Sequence, residues 1–127
     1  MKIKVTNKSK HQLPTYYTPL SAGMNLRADM DEEIVLKPME RAIVKNGIFL
    51  EIPVGCKRQI RPRSVLAFDK GITILKSPGT IDAGDRCQVC IILINLTNEN
   101  FVIKEGERIC QMVIAKQEKP EWLLLKI

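Results

Sequence analysis

Aromatic and histidine side chains are scarce in this chain, with aromatics at 5% and a single histidine among 127 residues. The lone His11 excludes a histidine-rich zinc or catalytic cluster, and so few aromatics leave little for base stacking on single-stranded nucleic acid. His11 itself sits in a polar N-terminal stretch and reads as a solvated side chain. Long apolar runs are also missing. Nothing approaches the roughly 18 consecutive apolar residues of a membrane-spanning helix, and the opening Met1-Lys2-Ile3-Lys4-Val5 alternates like a strand where a signal peptide has an apolar block. No membrane partner and a cytoplasmic location are expected. Repeats, low-complexity tracts and linkers are absent too, so residues 1–127 are expected to form a single domain. The net charge is +6, but the lysines and arginines are scattered without a recognition motif, and no nucleic-acid partner is expected.

Four cysteines are present. Cys87 and Cys90 form a C-x-x-C, which in other contexts marks redox chemistry or half a zinc site. Here Cys90 falls in the apolar run from Val89 to Leu96, a predicted strand, and residues three apart on a strand point to opposite faces. Cys56 and Cys110 stand alone. All four read as core or near-surface thiols.

What the chain has in quantity is short β-branched segments. They are Ile34–Leu36, Ala42–Val44, Ile48–Ile52, Lys57–Ile60, Ile72–Leu75, Val89–Leu96, Phe101–Ile103 and Ile109–Ala115. Turn signals such as Lys37-Pro38, Asn46-Gly47, Lys70-Gly71 and Glu105-Gly106 separate them. Strands at this spacing predict an all-β sandwich or barrel. The final Trp122-Leu123-Leu124-Leu125 is apolar for a chain end, and its packing on this subunit or on a neighbour is expected.

Separated motifs then narrow the reading. Ser21-Ala22-Gly23-Met24-Asn25-Leu26-Arg27-Ala28, Arg61-Pro62-Arg63-Ser64-Val65-Leu66-Ala67, Lys76 to Gln88 with Ser77-Pro78-Gly79-Thr80-Ile81-Asp82 at its centre, and Gly106 to Gln111 follow one another in the order seen in trimeric deoxyuridine triphosphatases (dUTPases). From about Met1 to Trp122 the sequence resembles that family. The resemblance implies a jelly-roll-like β-clip barrel, a homotrimer, and active sites built from more than one subunit. It also implies roles. Arg63 presents a fixed fork of donors suited to phosphate oxygens and Ser64 a hydroxyl in the same turn. Gln111 is placed to donate to another phosphate oxygen, and the Thr80-Ile81 hairpin to read the uracil edge. Asp82 matches the carboxylate that binds the sugar hydroxyl and activates the attacking water.

Several positions depart from the family pattern. Asn25 stands where an aspartate is usual near magnesium, Val65 where a glycine follows the serine, and Lys76 where an asparagine is usual. Asp85 replaces the tyrosine under the deoxyribose, and Cys87 and Gln88 replace a Gly-Glu pair. Val65 is expected to strain the phosphate turn if that turn requires positive φ or close backbone approach. The glycine-rich arm that closes over the family's site is not seen before Ile127. These departures lead to the expectation of a disabled nucleotide site on a dUTPase-fold homotrimer. Such a protein is a structural, assembly or interaction module, either a natural pseudoenzyme or an engineered scaffold. A further protein partner or designed assembly is expected to engage the former active-site face and the C-terminal tail. No metal or other cofactor belongs to that reading. The alternative is an active or residual dUTP diphosphatase that hydrolyses dUTP to dUMP and pyrophosphate with magnesium.

Overall fold

The computed structural model describes residues 1–76, 79–81 and 88–126, the 79–81 strand by its backbone alone. In chain order the strands are β1 (Lys4–Asn7), β2 (Met24–Arg27), β3 (Ile34–Leu36), β4 (Arg41–Val44), β5 (Ile48–Glu51) and β6 (Cys56–Arg61). The helix α1 (Ser64–Lys70) follows, then β7 (Ile72–Ile74), β8 (Gly79–Ile81), β9 (Ile91–Asn95), β10 (Phe101–Ile103) and β11 (Arg108–Lys116). All ladders are antiparallel. The sheets run β2-β11-β6-β8, β4-β9-β7, β1-β5 and β10-β3. The all-β jelly-roll expectation holds. No helix among the described residues is long and apolar enough to cross a membrane.

Strand alternation decides which side chains reach the core. In β6, Cys56, Arg58 and Ile60 are buried while Lys57 and Gln59 are half-buried and Arg61 is exposed. In β11 the neighbours Ile109 and Cys110 are both buried, which strict alternation forbids. A register shift against β2 between Arg108 and Cys110 explains it, because a bulge inserts one residue and re-aims those around it. The core is continued by β9, whose Ile91, Leu93, Ile94 and Asn95 are all buried.

Asn95 lies at the floor of this core without an unmet polar atom. Its Nδ2 donates to the carbonyls of Leu36 (2.9 Å) and Glu99 (2.7 Å), and its Oδ1 accepts from the Thr97 N–H (3.0 Å) and hydroxyl (2.7 Å). One side chain thereby fixes the β9–β10 turn and ties it to β3.

The helix α1 buries Leu66 and leaves Val65 and Phe68 exposed. It ends at Gly71, in the left-handed conformation at φ 64°, whose N–H closes on the Ala67 carbonyl at 3.2 Å. A Cβ there would collide with Thr97 Cγ2, so both backbone and space call for glycine.

Two expectations are corrected in this fold and a third is narrowed. His11 is not free in solvent: its Nε2 lies 2.6 Å from Glu105 Oε1. Cys90 is exposed and precedes β9 instead of lying within it. The segment Trp122 to Leu125 does not pack on its own subunit, each side chain being 86% exposed or more.

Candidate functional site

Segments remote in sequence meet beside the C-terminal end of β6. Gln111 of β11 registers with Asn25 of β2 on one side and Arg61 of β6 on the other. The next cross-strand row, Met24, Met112 and Ile60, points the opposite way, with Met112 and Ile60 buried. Alternation therefore turns Asn25, Gln111 and Arg61 together onto the open face.

This row forms the floor of a pocket of about 450 Å³. Arg63 and Arg108 add to the wall, and the loop ahead of β2 supplies Tyr17, Ser21, Ala22 and Gly23. Arg63 sits in extended backbone at φ −83° and ψ 132°, just before α1, and its Nη1 donates to the Arg108 carbonyl at 3.1 Å. Arg61 Nη2 donates to Gln59 Oε1 at 2.7 Å. Both guanidiniums are thus oriented by the protein and keep further donors for a ligand. Cys110, beneath this wall, is no nucleophile. Burial pushes its thiol up to about 12, and the Arg63 charge only partly opposes that.

The sequence-predicted residues fall into distinct places. Asn25, Arg63 and Gln111 line the pocket together. Ser64 opens α1 next to Arg63 and is exposed. Val65 lies inside α1, and Met39 is the non-glycine residue with positive φ among the described residues. The anticipated left-handed strain at Val65 is therefore absent; a helical turn accepts a β-branched side chain that points to solvent. Lys76 follows β7 and is exposed. Thr80 and Ile81 register with Gln59 and Arg58 on the opposite side of β6 from β11. Asp82, Asp85 and Cys87, with Ser77 and Pro78, lie outside the described residues.

Gln88 has a different task from the one its motif implied. Its Oε1 accepts the backbone N–H groups of Asn46 (3.2 Å) and Gly47 (3.1 Å), while Asn46 Oδ1 accepts from Ile48 N at 2.9 Å. An amide oxygen and a carboxylate oxygen serve equally as that acceptor, so the glutamine preserves the turn. Sequence reasoning had not assigned Arg61, Arg108, Tyr17 or Ser21 to the site. The signal for Arg61, Arg108 and Ser21 was their place within the family motifs; Tyr17 carried none.

A second group of chemically capable side chains, His11, Asp29 and Glu105, has ligand atoms within 4.8 Å of one another. The Lys10 ammonium already fills it, 3.4 Å from Asp29 Oδ1 and Glu105 Oε2 and 3.0 Å from the Met30 carbonyl. The group works as a charge latch.

A dUTPase family model matches residues 9–126. The chain belongs to the dUTPase family. It is 53% identical over 116 residues to the deoxyuridine 5'-triphosphate nucleotidohydrolase of Cytophaga hutchinsonii, covering 91% of this chain and 75% of that protein. With the enzyme of the same name from Finegoldia magna it shares 45% identity, over 100% of this chain and 89% of the relative. Among solved structures, the dUTPase of S. aureus phage phi11 superposes with a TM-score of 0.83 at 22% identity, covering 100% of this chain and 97% of that one. The Staphylococcus bacteriophage 80alpha dUTPase gives 0.83 at 23%, covering 99% and 97%. The two solved structures establish the fold.

The sequence relatives also correct a functional expectation. Departures at Asn25, Val65, Lys76, Asp85, Cys87 and Gln88 led to a disabled site retained as a scaffold or pseudoenzyme. That reading is overturned by dUTPase relatives 44–53% identical over most of the chain, all named as nucleotidohydrolases. Two of the six departures prove structurally innocuous, Val65 in its helix and Gln88 at its turn.

Proposed function

We propose that this chain is a dUTP nucleotidohydrolase, cleaving dUTP to dUMP and pyrophosphate as a homotrimer of single-domain subunits. The observation that carries the reading is the pocket at Asn25, Gln111 and Arg61, ringed by three arginines, in a chain close to enzymes of that name. Guanidiniums held at fixed angles suit the anionic oxygens of a triphosphate and stabilise charge that develops on the leaving pyrophosphate. Gln111 adds a neutral donor between them.

In this reading Thr80 and Ile81 contribute to the base-reading hairpin and Asp82 is the general base. Asp82 takes a proton from the attacking water as its oxygen bonds to the α-phosphorus. The bond from that phosphorus to the bridging oxygen breaks, and pyrophosphate leaves. Water-derived oxygen remains on dUMP. The apolar Trp122 to Leu125 segment, bare on its own subunit, fits contact with a neighbouring subunit.

The family resemblance also implies magnesium, and the pocket admits it in one way. Asn25 Oδ1 is buried with no hydrogen-bond partner, an acceptor suited to a water in the ion's shell. No carboxylate lines the pocket among the described residues, so the triphosphate oxygens would hold the ion. Bound there, magnesium would neutralise phosphate charge and polarise the phosphoryl group.

Pyrophosphate release from dUTP, measured on protein shown to be trimeric by light scattering, tests the assignment. Asp82→Asn is expected to lower kcat by about a hundredfold or more with the trimer intact. Absence of release from the parent trimer would defeat the proposal.

A further inference from the structure

We infer that Tyr17 contacts the nucleotide at the phosphate pocket and that the latch at Lys10, His11, Asp29 and Glu105 positions it, through the segment running from β1 to β2; this rests on the nucleotide reading above and adds to that site a residue and its support.

The segment, residues 8–23, carries no strand of its own and is held at two places. Near its start the Lys10 ammonium lies 3.4 Å from Asp29 Oδ1 and from Glu105 Oε2, and His11 Nε2 lies 2.6 Å from Glu105 Oε1. Near its end an isolated bridge joins Tyr16 to Met24. The turn that follows is closed by Ser21 Oγ, which accepts the Thr18 N–H at 3.1 Å. Between the two attachments the segment roofs a cavity of about 140 Å³, with Asn25, Arg27 and Arg108 on the opposite side.

The far side of the latch is firm. Gly106 N–H donates to the Ala28 carbonyl at 2.9 Å, Ala28 N–H to the Glu107 carbonyl at 2.8 Å, and Arg27 Nη1 to the Gly106 carbonyl at 2.9 Å. Glu105 therefore stands on a turn tied to the end of β2. Three residues on, the same stretch of chain carries Arg108, which lines the phosphate pocket and whose carbonyl orients Arg63. Through Glu105 the segment is aligned to the backbone that also sets these arginines.

Tyr17 is where that alignment reaches the pocket. It lines both the roofed cavity and the phosphate pocket, and at 82% exposed it takes its direction from the backbone and not from packing. A single bridge fixes the place of a chain but leaves it free to twist about that point. The latch is the second attachment, and it removes the twist. With the latch closed the phenol stands at the pocket wall, where its O–H is a donor for a phosphate oxygen. Exposed ion pairs are a weak fastening, so the segment opens locally while the sheets stay folded. Each opening turns Tyr17 out of line and lowers the fraction of protein ready to bind nucleotide.

Steady-state pyrophosphate release from dUTP with magnesium tests this on the trimeric parent, Glu105→Gln, Tyr17→Ala and the double variant. Glu105→Gln is expected to raise KM about fivefold while kcat stays within about twofold. Loss of folded protein does the reverse, lowering apparent kcat and leaving KM alone, so the split separates positioning from stability. Tyr17→Ala is expected to raise KM by a similar factor. Adding Glu105→Gln to it is expected to raise KM no further, because the latch then has nothing to position. Unchanged KM in either single variant, or two effects that multiply in the double variant, would overturn the inference. Should Glu105→Gln fail to form a folded trimer, Lys10→Gln takes its place, with the same outcomes supporting and overturning. If the parent trimer releases no pyrophosphate, the nucleotide reading falls, and calorimetric titration of the same proteins with magnesium tripolyphosphate decides the inference alone. The same pattern in the dissociation constants supports it; equal constants, or absence of binding, overturn it.

Discussion

Gln88 shows how a residue can change identity while its work continues. Motif comparison marks it as a lost carboxylate near a nucleotide, yet its Oε1 receives the N–H groups of Asn46 and Gly47. Those donors open β5, and Asn46 is 2% exposed. A backbone N–H left unpaired in such a place costs about 1–3 kcal/mol. Gln88→Ala is therefore expected to destabilise the protein by at least that much, whereas Gln88→Glu retains an acceptor and stays close to the parent. Denaturant midpoints of the two variants check the difference; equal losses would mean that the oxygen is not what holds the turn. The same distinction separates the altered residues generally. Val65 projects from a helix that tolerates it, while Asn25 changes the charge of a pocket without disturbing the ladder around it. Residue identity alone did not reveal which substitutions matter, because the decisive quantity was the partner each side chain finds in space.

At the scale of elements, the β-branched segments from Ile34 to Ala115 were legible because each strand carries enough apolar side chains to announce itself. β2 was less so: Met24-Asn25-Leu26-Arg27 alternates over a single short strand, and its pairing with β11 depends on a segment near the other end of the chain. α1 was missed although its C-terminal signals were present, Lys70 in the last turn and Gly71 immediately after. So short a helix between strands gives helical periodicity no room to compete with the surrounding β pattern. In the site, Arg63 and Gln111 were legible from motifs, but the row joining Asn25, Gln111 and Arg61 exists only through register. Gly71 links the missed helix to the sheet, since its N–H caps α1 and its carbonyl accepts from Leu96 at 2.9 Å. Gly71→Ala is expected to cost at least about 1 kcal/mol through left-handed backbone. The collision with Thr97 Cγ2 adds to this. Thr97→Ser removes that methyl and keeps the hydroxyl bonded to Asn95, so the double variant should recover the steric part of the loss and no more. A thermodynamic cycle over the four proteins measures it; full recovery would assign the whole cost to contact and none to backbone.

The molecule as a whole is drawn together by the latch at Lys10, His11, Asp29, Asp31 and Glu105, which joins the N-terminal segment, the β2–β3 connection and the β10–β11 turn. Glu105 is central. Its Oε2 accepts the Met30 N–H at 3.0 Å and lies 3.4 Å from Lys10, while Oε1 faces His11. The Met30 hydrogen bond first, with His11 and Lys10 behind it, outweighs desolvation and holds the carboxyl below its ordinary value of 4.5. For Lys10, desolvation lowers the ammonium's pKa, but Asp29 and Glu105 together outweigh it and leave it above its ordinary value of 10.5. The signs define a window. A depressed carboxyl contributes stability above its unfolded value and loses it as pH falls through the folded one. A raised ammonium contributes below its unfolded value and loses it as pH rises through the folded one. The latch is therefore complete between the ordinary carboxylate and lysine ranges and opens first on the acid side through Glu105. Glu105→Gln keeps the shape and removes the charge. Its melting temperature is expected to lie below the parent's at neutral pH, and the gap should close as the pH falls below the ordinary carboxylate range. The gap should also narrow in high salt, since these groups are exposed and screened. A gap of constant size from neutral to acid pH would show that the Glu105 charge does not fasten the three segments.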